Sequence, residues 1–219
     1  SLTLYPVIGP QARGIESVLE LAGRHDQVVP VQRAIGLWPW YAKADLFIGA
    51  AGGSVYELAV AGVPAITFPL AANQGNRPLD LADIGQYFHI PDYAPERDDR
   101  ELARLAWTLL FHRERIGRML NNAHLRVDGQ GAARVAQRIA ALLGGQTNGA
   151  EEETSLPQEK DRGSDLGNGY RIRAVEDSDM IHYLHCRNLP ANSRHMVVNR
   201  PIRWLQHYYW WFNNRRSSF

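Results

Sequence analysis

Short, continuously apolar segments alternate with amphipathic segments over the first 143 residues of this 219-residue chain. Continuously apolar runs of this length are typical of strands that are buried on both faces. The segments between them place apolar residues at helical spacing, as Ile15, Val18, Leu19 and Ala22 do. Strands that alternate with helices predict an α/β fold, with a parallel sheet and helices on both of its faces. The predicted strands cover residues 2–8, 28–31, 46–48 and 64–68, and the principal predicted helices cover 54–61, 100–111, 113–123 and 132–143.

Residues 144–169 interrupt this alternation. They are rich in Gly, Glu, Ser and Asn and lack periodicity, which predicts a flexible linker. A second module is predicted over residues 170–219, with one strand and two helices, which are too few to close a core. Its last helix, residues 202–212, is dense in aromatic residues, and we expect it to form an exposed apolar patch. Both domains are therefore expected to be truncated, the first at its N-terminal side.

Composition excludes several function classes. A net charge of +1 argues against strong nucleic-acid binding. The single cysteine, Cys186, excludes an internal disulfide and a cysteine-based zinc site, and the histidines do not have metal-ligand spacing. No apolar run approaches the roughly 18 residues of a membrane span, and no leader is visible, so a cytoplasmic location is expected.

The most informative stretch is residues 44–74, in which a buried strand leads into a glycine loop (residues 49–54) and then a helix. Glycines let a ligand approach the main chain, and the N-terminus of a helix offers free N–H groups suited to a diphosphate. Ser54 can donate to a phosphate oxygen, and Glu57 can accept from two vicinal ribose hydroxyls. The same two residues also have the spacing of a capping box, so a purely structural role is an alternative.

Asn73 and Gln74 follow the next predicted strand. In open parallel sheets, ligands bind beyond the carboxyl ends of the strands, so we expect these amides to lie beside the glycine loop. Amides both donate and accept hydrogen bonds, which suits them to sugar hydroxyls. The alternative is a polar cap on the loop.

These features, together with Gly62-x-Pro64, follow one another in an order that resembles the C-terminal, Rossmann-like half of GT-B nucleotide-sugar enzymes. The chain is similar to the glycosyltransferase family that contains the lipid II-forming N-acetylglucosaminyltransferase. It resembles more closely the UDP-sugar hydrolase of pseudaminic acid biosynthesis and related spore-coat polysaccharide proteins. That closer likeness depends on the strand end at residues 7–10 and on the tetrad at residues 71–74, and it covers about residues 1–143.

The resemblance implies roles for particular residues. Gly52, Gly53 and Ser54 would hold a diphosphate, Glu57 a ribose, and Asn73 and Gln74 the sugar or phosphate, while the backbone near Val31 would pair with the uracil edge. The implied substrate-binding set is Val31, Gly49, Gly52, Gly53, Ser54, Glu57, Asn73 and Gln74. The resemblance implies a catalytic histidine in an N-terminal half that is expected to lie outside this sequence, so no catalytic residue is assigned. No metal or cofactor is implied.

The first expectation is therefore the UDP-sugar-binding half of a hydrolase that releases UDP from a UDP-linked amino sugar in nonulosonic acid or surface polysaccharide biosynthesis. Its partners would be that sugar nucleotide and the missing N-terminal domain. One alternative is the donor domain of a family 28-like glycosyltransferase. Another is a non-catalytic nucleotide-binding or interaction module.

Residues 170–179 resemble the opening of a GNAT acetyltransferase, and Cys186-Arg187-Asn188 resembles its Trp-Arg-Asn element. The family's acetyl-CoA pyrophosphate loop is absent from this sequence. We therefore expect a truncated α+β GNAT-like piece that does not bind acetyl-CoA.

Overall fold

The computed structural model describes residues 2–123, 125–143 and 164–213, and only the backbone of Asn73. The strands are β1 (Val7–Ile8), β2 (Val31–Gln32), β3 (Phe47–Ala50), β4 (Ala65–Phe68), β5 (Phe88–His89), β6 (Ser164–Gly167) and β7 (Tyr170–Ile172). The helices are α1 (Ile15–Arg24), α2 (Trp38–Tyr41), α3 (Ser54–Ala61), α4 (Pro78–Asp83), α5 (Asp99–Phe111), α6 (Arg113–Asn121), α7 (Gly131–Leu143), α8 (Met180–Asn188), α9 (Pro190–Ser193) and α10 (Trp204–Asn213). Contacts divide the chain into two compact units, Ser1–Ala42 and Lys43–Phe219. None of the described helices combines the length and the apolar character needed to cross a membrane.

The first unit contains a pair of short parallel strands, β1 and β2, with Val7 opposite Val31. α1 lies between them in the sequence, as a parallel connection requires. The buried apolar side chains of this unit are Val28, Val31 and Tyr41. The two predicted strands therefore pair, although the regular part of each is only two residues long.

The second unit contains a parallel sheet with strand order β3-β4-β5. Gly49 lies opposite Thr67, and Thr67 lies opposite His89. Successive β4 residues are fully buried, with Ile66 and Thr67 at most 1% exposed. Because successive side chains of a strand point to opposite faces, β4 is covered on both, which explains its continuously apolar sequence. The expectation of a mixed α/β fold with parallel strands is confirmed.

The core of the second unit joins the sheet to helices from distant parts of the chain. Ile66 and Phe88 of the sheet belong to the same buried cluster as Leu105 and Leu109 of α5. The C-terminal helices α8 and α10 contribute Met180, Ile181, Leu205, Tyr208, Trp211 and Phe212 to that cluster. The C-terminal segment therefore shares one core with the β3–β5 sheet.

The expectation that the aromatic helix forms an exposed patch is wrong for most of its residues. Tyr208 and Trp211 of α10 are at most 1% exposed, while Trp210 is 43% exposed. The Tyr208 and Phe212 rings pack against Phe88 of β5, with centroids 5.7 and 5.8 Å away. An apolar helix that cannot close a core by itself is buried here against the neighbouring sheet and α5.

The boundaries expected from the sequence, 1–143, 144–169 and 170–219, stay a prediction. Most of the expected linker, residues 144–163, lies outside the described residues. The last part of it forms β6, which pairs antiparallel with β7 in an exposed hairpin. A separate GNAT-like fold stays likewise a prediction.

Polar contacts also connect the C-terminal segment to the rest of the unit. Arg203, just before α10, donates to Asp98 at 2.7 Å, and the Asp98 side chain is fully buried. Hydrogen bonds from Arg97, then from the Ala94 N–H and Arg203, hold the pKa of Asp98 far below its usual range, against the opposing effect of desolvation. The Tyr208 hydroxyl donates to the main-chain oxygen of His89 at 2.7 Å. The contacts of Arg203 and Tyr208 thus join residues that are 105 and 119 positions apart.

Removal of the Tyr208 hydroxyl tests this packing. We expect Tyr208→Phe to lower the free energy of unfolding by about 1–2 kcal/mol, because the buried His89 carbonyl loses this donor while the ring stays in place. Urea unfolding measures the change. Tyr170→Phe is the control, because Tyr170 is 71% exposed, and we expect a change below about 0.5 kcal/mol. Equal, small effects of both variants would contradict the docking of α10 on β5.

His89 is a buried titratable residue in the same region. It is 1% exposed, its Nδ1 lies 3.0 Å from the Thr67 hydroxyl, and its Nε2 is buried with no hydrogen-bond partner among the described residues. Burial lowers the pKa of His89 to about 4, although the contact with Thr67 opposes the shift. The imidazole is therefore neutral in the folded protein at pH 7.

This shift predicts a loss of stability in mild acid. The unfolded chain protonates His89 below about pH 6.5, and the folded chain does so only near pH 4. The stabilising contribution is thus complete above about pH 6.5 and falls as the pH approaches 4. Between pH 7 and 4.5 we expect the wild type to lose about 2 kcal/mol more unfolding free energy than His89→Gln. Urea unfolding across this range measures the difference, and His185→Gln, at an exposed histidine, is the control. Parallel pH profiles of the unfolding free energy for wild type and His89→Gln would contradict the lowered pKa of His89.

Candidate functional site

The glycine loop connects the carboxyl end of β3 to the start of α3. The Ala51 N–H donates to the Phe68 carbonyl at the end of β4, at 3.0 Å. Ala51 is 2% exposed, so this bond is protected from water. The exits of β3 and β4 are therefore held next to each other, at one edge of the sheet.

Three successive main-chain N–H groups are free at the start of α3. The amides of Gly52, Gly53 and Ser54 have no acceptor among the described residues, whereas Val55 and Tyr56 donate back to Gly52 and Gly53 at 3.2 Å. Free amides at a helix N-terminus carry partial positive charge and bind anions. A Cβ added to Gly53 would meet no atom within 4 Å, so nothing fills the space on that side of the loop.

The structure does not contain the capping box that was the alternative role for Ser54 and Glu57. α3 begins at Ser54 itself, Gly53 occupies the cap position, and no side chain caps this end of the helix. Glu57 is exposed in the first turn, and its carboxylate has no hydrogen-bond or ion-pair partner among the described residues. The Ser54 hydroxyl and the Glu57 carboxylate are thus free for a ligand.

The structure brings Gln74 beside the loop, as the sequence predicts. Gln74 ends a short 3₁₀ turn, Ala72–Gln74, and its Nε2 lies 3.7 Å from the position that a Cβ on Gly52 would occupy. Its Oε1 accepts a hydrogen bond from the Leu70 N–H at 2.8 Å, which fixes the amide and leaves the Nε2 donors near the loop. Asn73 belongs to the same turn, but its side chain lies outside the described part of the structure.

Asn76 is a residue at this site that sequence reasoning missed. Its Nδ2 donates to the Ala51 carbonyl at 2.6 Å, from the loop that follows β4. Ala51 is thus held on both sides, by Phe68 through its N–H and by Asn76 through its carbonyl. The only signal in the sequence is a third amide side chain, close after Asn73 and Gln74, and it does not indicate a main-chain partner 25 residues away.

Two residues of the expected binding set have structural roles. Gly49 lies within β3, where a Cβ would come 2.9 Å from the ring of Phe47, so the glycine makes room for that ring. Val31 belongs to the other compact unit, is 6% exposed and donates its N–H to the Pro6 carbonyl at 2.8 Å. Ligand contacts by the backbone at these positions stay a prediction.

The site as a whole is an open feature at the carboxyl edge of the sheet. Two cavities of the described structure, of about 370 and 180 Å³, lie elsewhere in the second unit. No group of side chains suited to hold a metal ion occurs among the described residues. The chemistry available here is hydrogen bonding to an anion by main-chain amides, with a carboxylate and an amide beside it.

Comparison with known proteins identifies a glycosyltransferase relative. Over 106 residues the chain is 37% identical to UDP-N-acetylglucosamine–N-acetylmuramyl-(pentapeptide) pyrophosphoryl-undecaprenol N-acetylglucosamine transferase from Gluconobacter oxydans (strain 621H). The matched region covers 46% of this chain and 28% of the relative. This chain thus spans less than a third of the transferase that it matches.

No family model and no solved structure matches the chain. The relative is a transferase, neither a hydrolase nor an acetyltransferase. Of the functions expected from the sequence, the glycosyltransferase alternative therefore has more support than the hydrolase. Over about half of its length, this chain is similar to a glycosyltransferase that uses a nucleotide sugar.

Proposed function

We propose that this chain supplies the donor-binding half of a glycosyltransferase that uses a UDP-linked amino sugar. The observation that carries the proposal is the row of free amides at Gly52, Gly53 and Ser54, with Glu57 one turn further along α3. The likeness to the Gluconobacter transferase supports the same reading, since its name includes a UDP-linked amino sugar.

In the proposed reaction, an acceptor hydroxyl attacks the anomeric carbon of the donor sugar. The bond between that carbon and the phosphate oxygen breaks, and UDP leaves with the bonding electrons. Negative charge grows on the diphosphate as the bond breaks, and amides that already point at it stabilise the transition state without reorganisation. This role needs no metal from the protein.

Each remaining residue of the site has a role in holding the donor. The Ser54 hydroxyl would donate to a phosphate oxygen, and the Glu57 carboxylate would accept from the two ribose hydroxyls. Gln74 would donate through Nε2 to the sugar or phosphate, because its Oε1 already accepts from Leu70. Asn76 would act as a positioning residue, through the main chain of Ala51. With water as the acceptor, the same donor site would serve the hydrolysis first expected from the sequence.

Gly53→Ala tests the diphosphate cradle. The added methyl group meets no atom within 4 Å in the free protein, so the fold should be unaffected. It would stand between the amides and a bound phosphate, and we expect the Kd for UDP to rise at least about tenfold. Calorimetric titration of the full chain with UDP measures the change.

Gly23→Ala is the matched control, because a Cβ there also meets nothing within 4 Å and the residue lies in α1. It should leave the Kd for UDP unchanged. Equal UDP affinity in wild type and Gly53→Ala would overturn the cradle. No UDP binding by the wild type at millimolar concentration would leave only an interaction module.

Glu57→Gln separates the ribose contact from the diphosphate contact. Loss of the carboxylate weakens charge-assisted hydrogen bonds to the ribose, so we expect the Kd for UDP to rise about tenfold. Inorganic pyrophosphate has no ribose, and its affinity should stay equal or improve, because a nearby negative charge is removed. The exposed Glu114→Gln on α6 is the control. A parallel loss of UDP and pyrophosphate affinity would contradict the assignment of Glu57 to the ribose.

A further inference from the structure

A cavity of about 370 Å³ lies within the second unit, between α6 and the segment that precedes α8. On the α6 side it is lined by Arg115, Arg118, Met119 and Asn122. These residues are spaced at i, i+3, i+4 and i+7 and therefore share one face of the helix. The volume falls within the range of about 300–1,000 Å³ that is usual for small-molecule sites. The cavity is open to solvent, and Arg118 and Asn122 are exposed. Neither the fold nor the proposed donor site uses this cavity.

The opposite wall carries two carboxylates, and the first of them is already neutralised. Asp177 accepts two hydrogen bonds from Arg115, from Nε at 2.7 Å and Nη2 at 2.6 Å. Its Oδ1 also accepts from the indole N–H of Trp211 at 3.0 Å. Arg115 and Asp177 thus form a bidentate ion pair that fixes the wall of the cavity and leaves little net charge from either residue.

The second carboxylate, Glu176, also has a structural partner. Glu176 accepts from the main-chain N–H of Asp179, and Asp179 accepts from the main-chain N–H of Glu176 at 2.8 Å, which is a capping box. A cation site would need carboxylate oxygens that are free to converge on the ion, and the described residues contain no such group. The acidic side chains of this cavity therefore do not indicate a cation.

Arg118 is the charged residue of the lining whose side chain has no ion pair or hydrogen bond among the described residues. The Ser178 hydroxyl and the Asn122 amide line the same cavity and are likewise without a described partner. One guanidinium with two neutral donors matches a carboxylate or a phosphate, because oxyanions accept several hydrogen bonds at once. Val175, which also lines the cavity and is 57% exposed, offers an apolar surface for the rest of a small molecule.

We propose that this cavity binds the oxyanion of a small metabolite, a carboxylate or phosphate group, with Arg118 as the charged partner. Ser178 and Asn122 donate to the same group. One wall belongs to α6 and the other to the C-terminal segment, so a ligand bound between them holds that segment against the core. Any ligand that binds only this assembled state also raises the stability of the fold.

Two probes test the proposal on the full chain. Inorganic phosphate is titrated with ³¹P line width as the readout, and acetate is titrated with saturation transfer from the protein to its methyl protons. We expect one or both to bind, with an apparent Kd that rises about tenfold or more in Arg118→Gln and more modestly in Ser178→Ala. The probe that binds more tightly identifies the oxyanion as phosphate or carboxylate.

The controls separate this cavity from the donor site and from general charge effects. Arg100→Gln removes an exposed arginine of α5 outside the cavity and should leave binding unchanged. Phosphate can also bind the amides of the glycine loop, so both titrations are repeated in Gly53→Ala, where the binding that depends on Arg118 should persist. Loss of phosphate binding in Gly53→Ala with retention in Arg118→Gln would assign the phosphate to the glycine loop and overturn the proposal. Binding that is equal in wild type and Arg118→Gln, or no binding of either probe at tens of millimolar, would overturn it too. UDP affinity is measured alongside, so that failure here is distinguishable from failure of the donor site.

Discussion

Parallel pairing of β3 with β4 is the interaction on which the candidate site depends. Because the two strands run in the same direction, their carboxyl ends emerge at one edge, and the loops that follow them meet there. The bond from Ala51 to Phe68 extends this pairing by one residue, into the glycine loop. The start of the loop is thus held by the sheet through the Ala51 N–H and by the Asn76 side chain through the Ala51 carbonyl.

A site built from main-chain amides has particular chemical consequences. Peptide N–H groups do not titrate, so the cradle keeps the same charge distribution over the whole physiological pH range. Such groups can also hold an anion without a metal or a lysine. Glu57 and Gln74 lie beside the amides and would add selectivity for the nucleoside and the sugar, since carboxylate and amide groups recognise hydroxyls by geometry. The proposed donor specificity thus depends on a few side chains around a cradle that recognises diphosphate in general.

The C-terminal segment changes how the second unit is stabilised. Met180, Leu205, Tyr208 and Trp211 are buried with β5, α5 and α6, so the core of the β3–β5 sheet includes residues that follow it by about a hundred positions. The sequence shows that these residues are apolar and helical, and it predicts α8 and α10 approximately. It does not show what covers them, because the covering surface belongs to β5 and α5. The prediction that α10 forms an exposed patch is wrong for that reason. A helical pattern indicates that one face is apolar, but only the packing shows which surface covers that face.

The amino-acid sequence by itself determined the alternation of strands and helices, the glycine loop after β3 and the positions of Ser54, Glu57 and Gln74. Those features follow from local constraints, since strand burial, turn geometry and helix starts each depend on a few neighbouring residues. Tertiary structure decided that Ser54 begins α3 without a capping box, that Asn76 holds Ala51 and that Gly49 makes room for Phe47. It also decided that Arg118 lines an open cavity between α6 and the C-terminal segment. Each of these depends on atoms that are distant in the chain or on local main-chain geometry that the residue pattern leaves open. Contacts of that kind arise only when the sheet and the helices around it have packed.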